Sequence, residues 1–238
     1  AVMTMTNHKW QDRRAEMGDS DETAWVSLDY HNSKYRPVND SDRKINTYRL
    51  HLGLDVYRHL YANGSRLDAG VMALLGTSDV KLKQAGFTAK GNVESYNIGA
   101  YLTWQQDPDK KLGAYIDSWM MFGWNKSEVK GEGLQTETIR PKTFTASIET
   151  GYSFEINKTS DYALYIQPQA QLIWTQYRVG HHTEATQSTV SGLKDDQVYY
   201  RVGARIYADL LTDSGKKYQP FLDLNFLGGP KHHSITFD

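Results

Sequence analysis

The chain has 238 residues, 39% of them hydrophobic and 23% charged, with a net charge of −1 and no cysteine. That length can bury a substantial core, while the missing cysteines exclude a disulfide scaffold, a thiol nucleophile and a thiolate metal site. The near-neutral charge gives no electrostatic reason for nucleic acid as a partner. No stretch approaches the ~18 consecutive apolar residues of a membrane helix, a test that a transmembrane β-barrel escapes because half of each strand faces water.

Taken in order, the sequence predicts one helix, Asn7–Met17. Thr6 or Asn7 caps its start, Arg13 and Arg14 sit in the last turns where the helix dipole favours cations, and Gly18 stops it. Its sides are polar around Trp10, which suits a wet channel better than lipid. A surface helix or a frayed terminus is the alternative.

Nine strands are expected after it: Thr23–Tyr35, Ile45–Leu60, Arg66–Leu82, Val93–Gln106, Leu112–Lys130, Phe144–Ile156, Tyr162–Gly180, Val198–Leu211 and Tyr218–Phe226. The seventh shows the pattern best. Its even positions are Tyr162, Leu164, Ile166, Pro168, Ala170, Leu172 and Trp174, against Tyr165, Gln167, Gln169, Gln171, Thr175 and Tyr177 at the odd ones. Alternation this long describes a strand between an apolar medium and a wet one. Compact turn sequences follow the even-numbered strands (Tyr61–Ser65, Asp107–Lys111, Asn157–Asp161, Thr212–Lys217). Longer connections follow the odd ones (Arg36–Lys44, Lys83–Asn92, Gly131–Thr143, His181–Gln197). Each kind therefore collects at one rim, as periplasmic turns and extracellular loops do in outer-membrane barrels.

The apolar face carries rings near both rims, with aliphatic residues between. The lipid-interface set is Tyr30, Tyr48, Trp124, Trp174 and Tyr200 near the long connections, and Trp104, Tyr152 and Tyr218 near the short ones. A soluble sandwich has no reason to sort aromatics by height, whereas a bilayer does. The opposite, lumen-facing set comprises Asp29, Arg49, His51, Asp55, Asp117, Glu149, Gln167, Gln169, Gln171, Arg201, Arg205, Asp209 and Asp223. Such a lining can hydrate a pore, pair across it or grip a polar helix.

The stretches PQAQLIW, RVGARIYADLL and QPFLDLNFLGG resemble the C-terminal translocator, or β-domain, of Gram-negative autotransporters, the type V secretion proteins, in their adhesin-like branch. The resemblance implies an all-β fold: a transmembrane antiparallel up-and-down barrel of twelve strands, about nine of them present here, with a helix in the pore. It divides the chain into a pore-spanning linker (residues 1–22, with Asn7, Trp10, Arg13, Arg14 and Met17 on the helix) and a barrel domain (residues 23–238). The implied location is the outer membrane, and the implied partners are its lipid, an N-terminal passenger domain and the barrel assembly machinery. A passive porin, a substrate trapped on the assembly machinery and a soluble ligand-binding barrel are the alternatives. With nine strands, the first and last are expected to present unpaired edges.

Neither G-x-S-x-G, H-E-x-x-H nor a phosphate loop occurs. Asp29 with His31, two residues on one strand, is the nearest approach to the rim dyad of a barrel protease. No cofactor, metal or catalytic residue is expected. Some relatives cut their own helix–barrel junction, and the sequence leaves that open.

Overall fold

A computed structural model describes residues 9, 23–35, 41–84, 87–110, 112–131, 133, 135–179, 182–183, 189–190, 194–211 and 217–229. The alternating segments pair as antiparallel strands: β1 (Ala24–Tyr35), β2 (Ser41–Leu60), β3 (Arg66–Gln84), β4 (Phe87–Asp107), β5 (Leu112–Gly131), β6 (Glu137–Ile139), β7 (Lys142–Lys158), β8 (Tyr162–Arg178), β9 (His182–Thr183), β10 (Thr189–Val190), β11 (Lys194–Leu211), β12 (Lys217–Tyr218) and β13 (Phe221–Gly228). Among the described residues, 11 strands form one curled sheet in the order β1-β2-β3-β4-β5-β7-β8-β11-β12, with β6 on β5 and β13 on β11; β9 and β10 pair separately. The nine long strands correspond to the nine expected, and no helix occurs among the described residues. Among the described residues, no pairing joins β1 to β12 or β13. The proposed helix Asn7–Met17 lies outside the described residues except for Lys9, which belongs to no regular element.

Several strands run further than expected, and the reason is physical. The connection expected at Lys83–Asn92 is mostly strand, since β3 continues to Gln84 and β4 begins at Phe87. Likewise β2 starts at Ser41, and β6 lies within the connection expected at Gly131–Thr143. In these outer ends the alternation changes sense. Val80, Leu82, Ala89 and Val93 line a groove on the inner side with Ile139, while their neighbours Lys81, Lys83 and Lys90 are exposed. An outward row that is apolar in lipid becomes charged where lipid ends, so a search for outward apolar residues stops too early.

The expected last strand Tyr218–Phe226 is also interrupted. Gln219 and Pro220 separate β12 from β13, because proline has no N–H to give the ladder; its carbonyl still accepts from Ala208 N at 3.1 Å. Three bulges, between Asp55 and Tyr57, Gln105 and Asp107, and Glu155 and Asn157, lie near the short-turn ends of β2, β4 and β7. The turn after β2 closes with Tyr61 N donating to Ser65 O at 2.8 Å, and Gly64 supplies the positive φ of 83° it needs.

The inner face is not uniformly polar. Met72, Leu74, Tyr101, Trp119, Met121 and Ile173 form a buried apolar cluster, with Trp25 and Tyr199 packed against it. Glycines make room for its rings and for those nearby. A Cβ on Gly53 would fall 2.2 Å from the Trp25 ring, one on Gly70 2.3 Å from Tyr101, and one on Gly151 2.5 Å from Tyr115.

Candidate functional site

Among the described residues, much of the buried polar chemistry lies on the inner wall and includes three charged networks. Near the short-turn rim of β2 and β3, Asp68 is fully buried and takes hydrogen bonds from Arg58 Nε and Arg66 Nε, both at 2.9 Å. Arg58 Nη2 also donates to Asp55 Oδ2 at 2.9 Å, and Tyr101 OH donates to Asp55 Oδ1. Trp25 Nε1 donates to Tyr101 OH at 3.1 Å, tying β1 to β4. Two carboxylates shared between two guanidinium groups and a phenol can be buried, where a lone carboxylate would not stay ionised.

The second network crosses β5, β7, β8, β11 and β13. Arg201 Nη2 lies 3.1 Å from Glu149 Oε2, with both side chains buried. Arg201 Nε donates to Gln171 Oε1 at 3.0 Å and Nη1 to Asn225 Oδ1 at 2.9 Å. Tyr115 OH donates to Glu149 Oε1 at 2.8 Å and contacts Gln169 Oε1 at 3.4 Å, while Gln171 Nε2 donates to Ser147 Oγ at 2.9 Å. On β4 and β5, Thr103 Oγ1 donates to Asp117 Oδ1 at 2.6 Å. Some of these bonds join neighbouring strands, while Arg201–Glu149 reaches across β8 and Tyr115–Gln169 across β7, so the network ties the wall together over two strands at a time.

The third network brings in the N-terminal segment. Lys9 Nζ sits 3.0 Å from Asp223 Oδ2 on β13. Arg205 Nη1 approaches the same oxygen at 3.8 Å, and its guanidinium lies 3.9 Å above the Phe221 ring. Asp209 accepts from Gln219 Nε2 at 2.7 Å.

Of the predicted lumen set, His51, Asp55, Asp117, Glu149, Gln167, Gln169, Gln171, Arg201 and Arg205 are buried, and Asp29, Arg49, Asp209 and Asp223 are half-buried. Asp29 pairs with Arg49 at 3.8 Å, whereas His31, the proposed dyad partner of Asp29, is exposed. Of the predicted interface rings, Tyr30, Tyr48, Trp124, Tyr152, Trp174, Tyr200 and Tyr218 are exposed, and Trp104 is half-buried. Tyr30 packs on Tyr48, Phe122 on Trp124 and Phe144 on Trp174, with centroids 4.8, 4.8 and 5.7 Å apart. The linker residues Asn7, Trp10, Arg13, Arg14 and Met17 lie outside the described residues.

Sequence reading missed Arg58, Arg66 and Tyr115. Tyr115 shares the parity of Asp117 and could have been found by it. Arg58 could not, because simple alternation puts it on the outer face and the bulge after Asp55 turns it inward. Among the described residues, no group of three or more His, Asp or Glu could hold a metal ion.

A long antiparallel wall with exposed apolar residues and rings outside and buried charge inside is the wall of a transmembrane β-barrel. Comparison with known proteins narrows that class. Residues 24–231 match the autotransporter beta-domain model, and the chain belongs to that family. It is 35% identical over 204 residues to YuaQ of Escherichia coli K12, and 26% identical over 205 residues to the autotransporter adhesin AIDA-I of Escherichia coli. Those matches cover 81% and 80% of this chain, and it spans 15% and 16% of those proteins. Its fold matches the crystal structure of the AIDA-I transport unit from Escherichia coli with a TM-score of 0.79 at 20% identity, over 96% of this chain and 76% of that one. The chain is thus an autotransporter translocator β-domain of the Gram-negative outer membrane, from a transport rather than a catalytic family.

Proposed function

We propose that this domain inserts as a closed barrel and secretes, or anchors at the cell surface, a passenger domain joined to its N-terminus. The observation that carries the reading is the Lys9–Asp223 ion pair, which seats a residue of the N-terminal segment on the inner face of β13. Residues 1–22 then act as the linker that traverses the pore, with Asn7, Trp10, Arg13, Arg14 and Met17 on a helix facing the wall. Residues 23–238 supply the barrel, and the outward rings seat it in outer-membrane lipid.

Nine long strands form part of a twelve-strand wall in this reading. The chain covers 76% of the AIDA-I transport unit, about the share that nine strands make of twelve. Backbone groups along the outer edges of β1 and β13 need partners in lipid, where each unsatisfied group costs several kcal/mol. Further strands supply them in the mature barrel, and the strand edge of the barrel assembly machinery supplies them during insertion.

Single-channel conductance in a planar bilayer tests the proposal. The whole protein should conduct weakly, and deletion of residues 1–17 should raise its conductance several-fold. Unchanged conductance would contradict the seated linker and leave a passive channel as the better reading.

A further inference from the structure

The register of β1 to β5 places five lysines in one line. Lys34 is paired with Lys44, Lys44 with Lys81, Lys81 with Lys90, and Lys90 with Lys130. All five are exposed and fall on the outer parity of their strands. With neighbouring strands ~4.8 Å apart, the row extends roughly 19 Å along the sheet. Like charges directly opposite one another on a sheet are unfavourable, and this row sets four such adjacencies in succession.

The protein supplies little to offset them. None of the five makes an ion pair or side-chain hydrogen bond among the described residues. The nearest acids are Asp79 and Glu128 in the outer row below, with Asn46 and Asn92, and Asp42 in the row above, and all three carboxylates are already engaged. Asp79 Oδ1 accepts from Asn92 Nδ2 at 3.1 Å, and Glu128 Oε1 pairs with Lys126 at 2.7 Å. Lys83, one outer row further up, adds another exposed cation opposite Asp42.

Height identifies the counter-charge. Below the lysines come the amide and acid row, then a row holding Tyr30 and Tyr48, then the apolar row Leu28, Leu50, Leu75, Tyr96 and Trp124. Four residues separate the lysines from Tyr30 and Tyr48, and six separate them from Tyr96 and Trp124, ~10 and ~15 Å along the membrane normal for a tilted strand. Interfacial rings sit at headgroup level, and long lysine side chains can bend toward it.

We propose that this row is a binding site for phosphate groups on lipid headgroups of the membrane leaflet at the long-connection rim. Lipid phosphates lie against the five ammonium groups, relieve their mutual repulsion and fix the outer height of the domain. The site needs neither a cavity nor a fold change. It rests on the orientation proposed above, with the long-connection rim outside the cell.

The test is the lipid phosphorus retained per mole of whole protein after extraction from outer membranes in mild non-ionic detergent. Lys44→Gln, Lys81→Gln and Lys90→Gln together should lower it at least threefold, while the three Lys→Arg changes should leave it near wild type. Heat-modifiable migration would verify that each variant is folded. Raising salt from 0.1 to 1 M should strip the lipid from wild type, because screening shortens from ~10 to ~3 Å. Equal retention by the Gln variant and wild type would overturn the proposal. So would complete displacement by millimolar inorganic phosphate, which would make the site a generic anion sink. In a Lys81→Cys variant, labelling of intact cells by a membrane-impermeant maleimide should succeed. Labelling without lipid retention would overturn the lipid site and leave the orientation standing, whereas failure to label would overturn the orientation itself.

Discussion

Ala100 is the most informative place to test what surrounds the wall. It is exposed on the outer face of β4, four residues from Tyr96 on one side and four from Trp104 on the other. With ~3.3 Å per residue and a tilt of ~40°, each ring row lies ~10 Å away along the membrane normal, which puts Ala100 near the middle of the apolar band. Its cross-strand partners Val71 and Met120 are exposed too, so nothing in the protein would shelter a charge there. Ala100→Arg should cost about 2–4 kcal/mol in lipid, the range for arginine at a barrel midplane. That is roughly a 30- to 700-fold loss in the folding equilibrium at ~1.4 kcal/mol per tenfold. Asn92→Arg, on the same strand four residues beyond Tyr96, should cost only about 0–1 kcal/mol. The assay is urea-dependent folding of the whole protein into phosphatidylcholine vesicles, with the folded fraction read from heat-modifiable electrophoresis. Equal penalties at residues 100 and 92 would refute a bilayer outside the wall.

Other changes probe the inner face by the same assay. Arg58→Ala strips one guanidinium from both Asp55 and Asp68, and about 1–3 kcal/mol should be lost because Arg66 still covers Asp68. Glu149→Gln leaves Arg201 buried without its carboxylate and should cost about 3–5 kcal/mol, much of which Arg201→Met should restore in the double variant. Gly53→Ala meets the Trp25 ring, so Trp25→Ala should relieve it. Gly70→Ala also meets the Leu54 carbonyl at 2.5 Å, so Tyr101→Ala should leave most of its ~1–3 kcal/mol overpacking penalty in place.

Most of the wall was legible because lipid outside and water inside impose a period of two that survives over seventeen or more residues, as in β8. The inward burial of Gln167, Gln169, Gln171, Arg201 and Arg205 followed directly from that period. It failed wherever the period or its sense changed. The bulge beyond Asp55 moved Arg58 inward, Pro220 broke the last strand, and the reversed polarity at Ala89 and Lys90 made the start of β4 look like loop. Pairwise geometry was invisible for another reason: the lysine row and the Gly–ring contacts depend on cross-strand register, which alternation within one strand does not determine.

Surface display tests the central claim most directly. An epitope tag placed immediately before Ala1 in the whole protein, expressed in a Gram-negative host, would be probed with antibody on intact and permeabilised cells. A translocator whose linker traverses the pore predicts staining of intact cells as strong as that of permeabilised ones, and loss of that staining when β8 is disrupted by Gln169→Pro. A tag reached by antibody only after permeabilisation, with the barrel folded in the outer membrane, would contradict it.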